Sequence, residues 1–172
     1  RCERSSSRPS TIMRGQDRIR LKMRQHHQES AFVLGRFMTD HLVRVYQAFD
    51  KDITAAIVLG TIGQYNYRRY YTEVGEKAAE GFHRLAQRGE HLPHARPCNA
   101  MSVSQSTGIP RETVRRKIRQ LVAKGWLRKA GPDKLIVTSL PARHFAEFDL
   151  DSLEHFYAAA KEILQLVEKR GR

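Results

Sequence analysis

Apolar residues recur at helical intervals over most of this chain, and the pattern gives way to strand-like segments at one place. From Gln28 to Phe49 the residues Phe32, Val33, Phe37, His41, Val45 and Phe49 predict a helix with those side chains inward. Asp50-Lys51-Asp52 interrupts it, and Asp52 can cap a new helix from about Ile53. In that second segment Ile53, Ala56, Ile57, Gly60 and Gln64 mark the expected inward face, widened by Val58, Leu59 and Ile62. Tyr65, Tyr67, Tyr70 and Tyr71 follow on the same helix or just after it, as residues expected to bridge core and solvent or to build an oligomer interface. A third helix is predicted over Glu73 to Gln87. A terminal one follows a capping-box-like Asp151 and Glu154, with Leu153, Phe156, Tyr157, Ala160, Ile163, Leu164 and Val167 on one stripe.

The most informative stretch is Met101 to Trp126. Met101 to Thr107 predicts a short helix with Met101 and Val103 inward, ended by Gly108, the residue type that takes a left-handed conformation without a Cβ penalty. Ile109 is expected to drop an apolar side chain between two crossing helices, and Pro110 opens the second. There Val114, Ile118, Leu121 and Val122 make the core face, while Glu112, Thr113, Arg116, Arg119 and Gln120 lie opposite, flanked by Arg111 and Arg115. Gly125, Trp126 and Leu127 end that helix. Leu127 to Lys129, a turn at Ala130 to Asp133, and Lys134 to Thr138 then read as a hairpin.

Helix, turn, helix and hairpin together resemble the winged helix-turn-helix regulators of the MarR and GntR type, through Gly108 to Leu127 in particular. The resemblance spans about Ala100 to Thr138. It implies that Arg111, Glu112, Thr113, Arg115 and Arg116 face the major groove and that Lys129 and Lys134 lie on the wing. Arg119, on the same helical face, and Arg128, on the first strand, join them as candidate DNA contacts. It also implies a dimer whose N- and C-terminal helices interleave.

Charge sharpens this reading. The net charge is +13, and it is carried by two segments: 1–27 has eight basic and two acidic residues, 99–134 has nine and two, and the remainder is neutral. Two basic patches on a neutral body are the footprint of a polyanion binder. The first, rich in Arg and Ser with few apolar residues, reads as a disordered basic arm.

Cys2 and Cys98 are too few for a disulfide framework and fit a reducing compartment. His83, His91, His94 and Cys98 have ligand-type side chains but match no closed zinc spacing, so no metal is expected. No apolar run is long enough to cross a membrane. With no phosphate-binding glycine loop, nucleophile elbow or His-Glu-x-x-His, an enzyme is the weakest class, and no cofactor is expected.

The expected protein is mainly α with a small β-wing, a winged helix-turn-helix with flanking N- and C-terminal helices. Its divisions are a basic arm at 1–27, a helical dimerisation or support region at 28–90, a DNA-binding domain at 99–140 and a C-terminal dimerisation helix at 141–172. The expected function is a cytoplasmic, nucleoid-associated transcriptional regulator, binding double-stranded DNA as a homodimer on a palindromic operator. A small-molecule effector would find its pocket at the four tyrosines. The competing expectations are a nucleic-acid module of little sequence preference and a protein-docking winged helix.

Overall fold

Two side-chain caps and a left-handed glycine set the boundaries of the helices that build the core. Asp52 Oδ1 accepts the Ala55 N–H at 3.0 Å, and Asn99 Oδ1 accepts the Ser102 N–H at 2.9 Å. Each satisfies a backbone donor that the helix start cannot, a contribution of about 1 kcal/mol. Gly108 has φ 73°, and its N–H closes on the Ser104 carbonyl, ending the helix before it.

The computed structural model describes residues 15–74 and 95–168. Among them are seven helices and one hairpin: α1 Gly15–Gln25, α2 His27–Ala48, α3 Ile53–Val74, α4 Ala100–Thr107, α5 Arg111–Ala123, β1 Leu127–Gly131, β2 Lys134–Val137, α6 Leu140–His144 and α7 Ala146–Glu168. The chain forms two compact units, one from the residues up to Asp40 together with those from Leu153 onward, the other from His41–Ser152. No helix among the described residues is long and apolar enough to cross a membrane.

In the unit His41–Ser152, α3, α4 and α5 enclose a core of Val58, Leu59 and Ile62 from α3, Val103 from α4, and Val114, Ile118 and Leu121 from α5. Trp126, Leu127, Leu135 and Phe145 close it from the hairpin side. Burying each of these large side chains contributes roughly 1.5–3 kcal/mol relative to leaving it in water. α4 and α5 are joined by only Gly108-Ile109-Pro110, and Ser104 Oγ donates to the Ile109 carbonyl at 2.7 Å to hold that turn. Ile109 is half-buried against the core, as expected of the residue between the helices.

The α3 face is rotated from the expected one. Ile57 is 45% exposed and Gly60 is exposed, while Ala55, Val58, Leu59, Ile62 and Asn66 point inward. The apolar run was wide enough for two faces, and the one holding Val58, Leu59 and Ile62 together carries more apolar surface. Met101 is 41% exposed rather than inward, and only Val103 of α4 is fully buried.

β1 and β2 pair antiparallel, with Leu127 opposite Val137, Arg128 opposite Ile136, Lys129 opposite Leu135, and an irregularity that leaves Ala130 out of register. β1 extends to Gly131, so the reversal is confined to Pro132 and Asp133, with Asp133 at φ 53°. The expected turn at Ala130 to Asp133 is therefore two residues shorter.

A third extended segment lies on the far side of β2. Cys98 pairs with Leu135 through both backbone bonds, its N–H reaching the Leu135 carbonyl at 3.3 Å and its carbonyl accepting the Leu135 N–H at 2.8 Å. Beyond Cys98 the buried Asn66 side chain takes over the edge. Its Nδ2 donates to the carbonyls of Arg96 at 2.7 Å and Leu135 at 3.1 Å, and its Oδ1 accepts the Val137 N–H at 2.9 Å. Cys98 thus belongs to a segment paired with β2.

α5 ends at Ala123, and the chain turns away at Gly125, φ 72°, where a Cβ would stand 3.1 Å from Leu140 Cδ1. An aromatic cluster follows: Phe49 stacks on Phe145 with centroids 4.8 Å apart, and Trp126 meets both rings edge-on. Phe145, buried in this cluster, separates α6 from α7, so α7 begins at Ala146 and not at the expected Asp151. Asp151 and Glu154 lie inside the helix, and no capping box forms.

In the other unit, Phe37 of α2 meets Phe156 of α7 at 5.6 Å between centroids, and Arg36 pairs with Glu162 at 2.6 Å. Val33, Ala159 and Val167 are buried, while Phe32, expected inward, is 70% exposed. Gly15–Gln25 is helix where an unfolded arm was expected. Ile19 and Met23, four residues apart, line a cleft with Ile163, Leu164 and Val167 of α7. Both α1 side chains stay about half exposed there, Ile19 at 52% and Met23 at 46%. Residues 1–14, 75–94 and 169–172, which include most of the expected third helix, lie outside the described residues.

Candidate nucleic-acid interface

The position of α5 decides which of its side chains reach solvent. Its core face is Val114, Ile118 and Leu121, so the residues about 180° away at 100° per residue must point outward. Glu112, Arg115, Arg116, Arg119 and Gln120 are indeed exposed, as is Arg111 in the first turn, while Thr113 is half-buried at the edge of the face. Pro110 stands just outside the helix as its N-cap residue, one position earlier than expected.

The charges of this face are largely unneutralised. Glu112 is its only acid, and Arg115 Nη1 binds it at 3.0 Å across one turn. Arg111, Arg116 and Arg119 make no ion pair among the described residues, nor do Arg128, Lys129 and Lys134 of the hairpin. A solvated surface helix usually mixes signs to relieve such repulsion. Here six exposed cations lie on two adjoining elements of one unit.

The hairpin side chains differ in their backing. Arg128, Lys129 and Lys134 are exposed, whereas Leu135 and Ile136, opposite Lys129 and Arg128, are buried. Beneath them Tyr67 hydroxyl donates to the Val137 carbonyl at 3.4 Å, and burial raises its pKa well above the ordinary phenol value against the opposing charge of Arg128. The base of the hairpin is thereby held on α3 by both Asn66 and Tyr67.

Two lysines of the basic segment turn away from the face. Lys117, 9% exposed on the core side of α5, donates to Asp52 Oδ2 at 2.5 Å. Burial disfavours ionisation of Asp52, but the Lys117 hydrogen bond, the Ala55 N–H and the charges of Lys117 and Arg116 outweigh it, leaving the carboxyl below its usual range. Sequence reasoning missed this pair. The signal was there in the spacing, because Lys117 lies three residues after Val114 and four before Leu121. Lys124 binds Asp50 at 2.8 Å and sits over the Trp126 ring at 5.0 Å.

A cavity of about 690 Å³ opens between α3 and α4, lined by Thr61, Gly63, Gln64, Tyr65, Tyr67, Arg68, Ser106 and Thr107. It includes two of the four tyrosines; the side chains of Tyr70 and Tyr71 lie outside the described residues. No group of three ligand-type side chains occurs among the described residues, and His83, His91 and His94 lie outside them. Burial pushes the Cys98 thiol up to about 11, so it is protonated at neutral pH. No protein-family model, curated protein or solved structure matches this chain.

Proposed function

We propose that this chain is a sequence-specific DNA-binding transcriptional regulator of the winged helix-turn-helix type, acting without catalysis as a homodimer on an inverted-repeat operator. The observation that carries the proposal is the outward face of α5 and the adjoining hairpin, where Arg111, Arg116, Arg119, Arg128, Lys129 and Lys134 stand exposed and without ion-pair partners among the described residues. Six like charges held together on a folded surface cost free energy unless a polyanion answers them.

α5 enters the major groove in this reading. Arg116 and Arg119, at the centre of its outward face, reach base edges, where arginine pairs bidentately with guanine O6 and N7. Glu112 holds Arg115 and leaves fewer rotamers for it to lose on binding. Thr113, at the edge of the face, is placed for a phosphate or a thymine methyl. The hairpin cations lie on the backbone beside the groove and set register. Two such surfaces related by a two-fold axis read two half-sites about one turn apart. The cavity between α3 and α4 is the proposed place for a small-molecule effector, and the nucleoid the proposed location.

A second reading, a nucleic-acid binder of little sequence preference, is favoured by Arg20 and Arg24, exposed on α1. The proposed contact with polyanion is tested by titrating a duplex against the chain at several salt concentrations. Six phosphates neutralised per protomer predict a slope of log affinity against log salt of about −5 per protomer. A slope near zero would overturn both readings and leave the exposed face as a surface for protein.

A further inference from the structure

The turn between α2 and α3 sends both of its carboxylates to α5. Asp50 and Lys51 sit in the left-handed region, at φ 53° and 65°, a conformation that costs non-glycine residues free energy and persists where neighbouring contacts hold it. The contacts here are two ion pairs, Asp50 to Lys124 at 2.8 Å and Asp52 to Lys117 at 2.5 Å. They differ in burial. Asp50 and Lys124 keep 83% and 46% of their side chains exposed, against 29% and 11% for Asp52 and Lys117. An exposed pair is screened by salt and holds little, whereas a pair largely out of water is screened much less.

Lys117 closes one side of the seat in which α5 lies. At about 100° per residue, Val114, Ile118 and Leu121 fall within about 60° of one another, narrower than the roughly 100° stripe usual for a surface helix. A helix can roll on so narrow a strip. Val122, packed against the core, limits the roll on one side. On the other side the buried residue is Lys117, and Asp52 Oδ2 meets it. Asp52 is itself fixed, because its Oδ1 caps α3 through the Ala55 N–H. We propose that Asp52 is a positioning residue for base reading: through Lys117 it fixes the roll of α5 against α3, and with it the direction in which Arg116 and Arg119 point. The inference rests on the proposed reading of DNA by α5.

A helix with its side chains has a radius of about 5–6 Å, so a roll of about 20° carries their ends about 2 Å. Hydrogen-bond lengths span only about 0.5 Å, so a bidentate pair with guanine is lost in such a roll. Contacts to phosphates, which any nearby cation makes, remain. Charge alone predicts the reverse outcome. Removing a carboxylate beside Lys117 and Arg116 makes the surface more positive and would tighten every duplex alike.

The test compares binding of the full-length chain to a duplex selected from a random pool and to a shuffled duplex of the same composition. Asp52→Asn keeps an oxygen for the α3 cap, and Lys117→Met replaces the buried cation with an unbranched apolar chain. Asp50→Asn removes the same charge from the exposed pair. The first two are expected to lower the preference for the selected duplex about tenfold or more, as loss of a bidentate contact does. The shuffled duplex should stay within about threefold of wild type, and Asp52→Asn should bind it no more weakly. The double variant D52N/K117M should be no worse than either change alone, and Asp50→Asn should alter the preference by less than about twofold. Without DNA, residual dipolar couplings along residues 111–123 report the roll of α5 through the phase of their helical oscillation. That phase should shift by about 10° or more in Asp52→Asn and Lys117→Met. Equal changes on both duplexes, additive losses in the double variant, or an unshifted phase would overturn the positioning role. A wild-type chain with no preferred duplex, together with a shifted phase in the variants, would end the base reading and uphold the hold of Asp52 on α5.

Discussion

Replacing Asn66 with alanine should loosen the hairpin from the rest of the unit His41–Ser152. The amide is fully buried and serves three backbone groups at 2.7, 3.1 and 2.9 Å. The Leu135 carbonyl keeps the Cys98 N–H after the change, and the Arg96 carbonyl, on a partly exposed segment, can take water. The Val137 N–H has neither. One fully orphaned donor costs about 1–3 kcal/mol, and the two other lost bonds about 1 kcal/mol or less each. The expected loss is therefore about 3 kcal/mol, a large share of the 5–15 kcal/mol that typically separates folded from unfolded chains. Urea denaturation at pH 7, followed by the single Trp126, reads it as a lower midpoint at unchanged slope. Asn66→Asp should be at least as harmful, because a carboxylate cannot donate to the two carbonyls it would face. A loss below about 1 kcal/mol for Asn66→Ala would refute the claim that this side chain completes the edge of β2.

Three further outcomes follow from the same geometry. Asp52→Asn keeps the helix cap but leaves Lys117 buried without a counter-charge, so stability at pH 7 should fall by about 2 kcal/mol. Because the Asp52 carboxyl is depressed in the folded state, its contribution is full above the unfolded value near 3.9 and disappears as pH falls through the folded value. Wild-type stability should accordingly drop more steeply below pH 4 than that of Asp52→Asn, which acid denaturation curves compare directly. On DNA, Arg116→Ala should weaken a preferred site by about 1–3 kcal/mol and relax base preference. Lys134→Ala should weaken all duplexes alike and reduce the salt slope by about 1, and equal effects of both changes on every duplex would argue against base readout.

The parts of the fold legible in the sequence are those that local chemistry fixes. Gly108, Pro110 and the spacing of Val114, Ile118 and Leu121 place α4, the turn and α5, because caps and helical periods act within a few residues. The outward set Arg111, Glu112, Arg115, Arg116 and Arg119 follows from that period alone. What stayed hidden depends on residues far apart in the chain. Asn66 reads as one polar residue in a tyrosine-rich run, and its role appears only when β2 comes 69 residues later to lie against it. Lys117 reads as another cation until Asp52 arrives from 65 residues away. The α3 and α7 segments misled in a different way. Each carries enough apolar residues for two faces, so periodicity fixed the helix but not the side turned to the core. In α7 the surplus is left exposed at Leu153, Phe156, Tyr157 and Leu164.

The claim that α5 reads base sequence is tested most directly by selecting bound duplexes from a random pool at about 0.15 M salt, where nonspecific contacts are substantially screened. The account predicts enrichment of an inverted repeat with half-sites about one helical turn apart, lost or relaxed when the selection is repeated with Arg116→Ala. Retention of duplexes without any enriched sequence would contradict it.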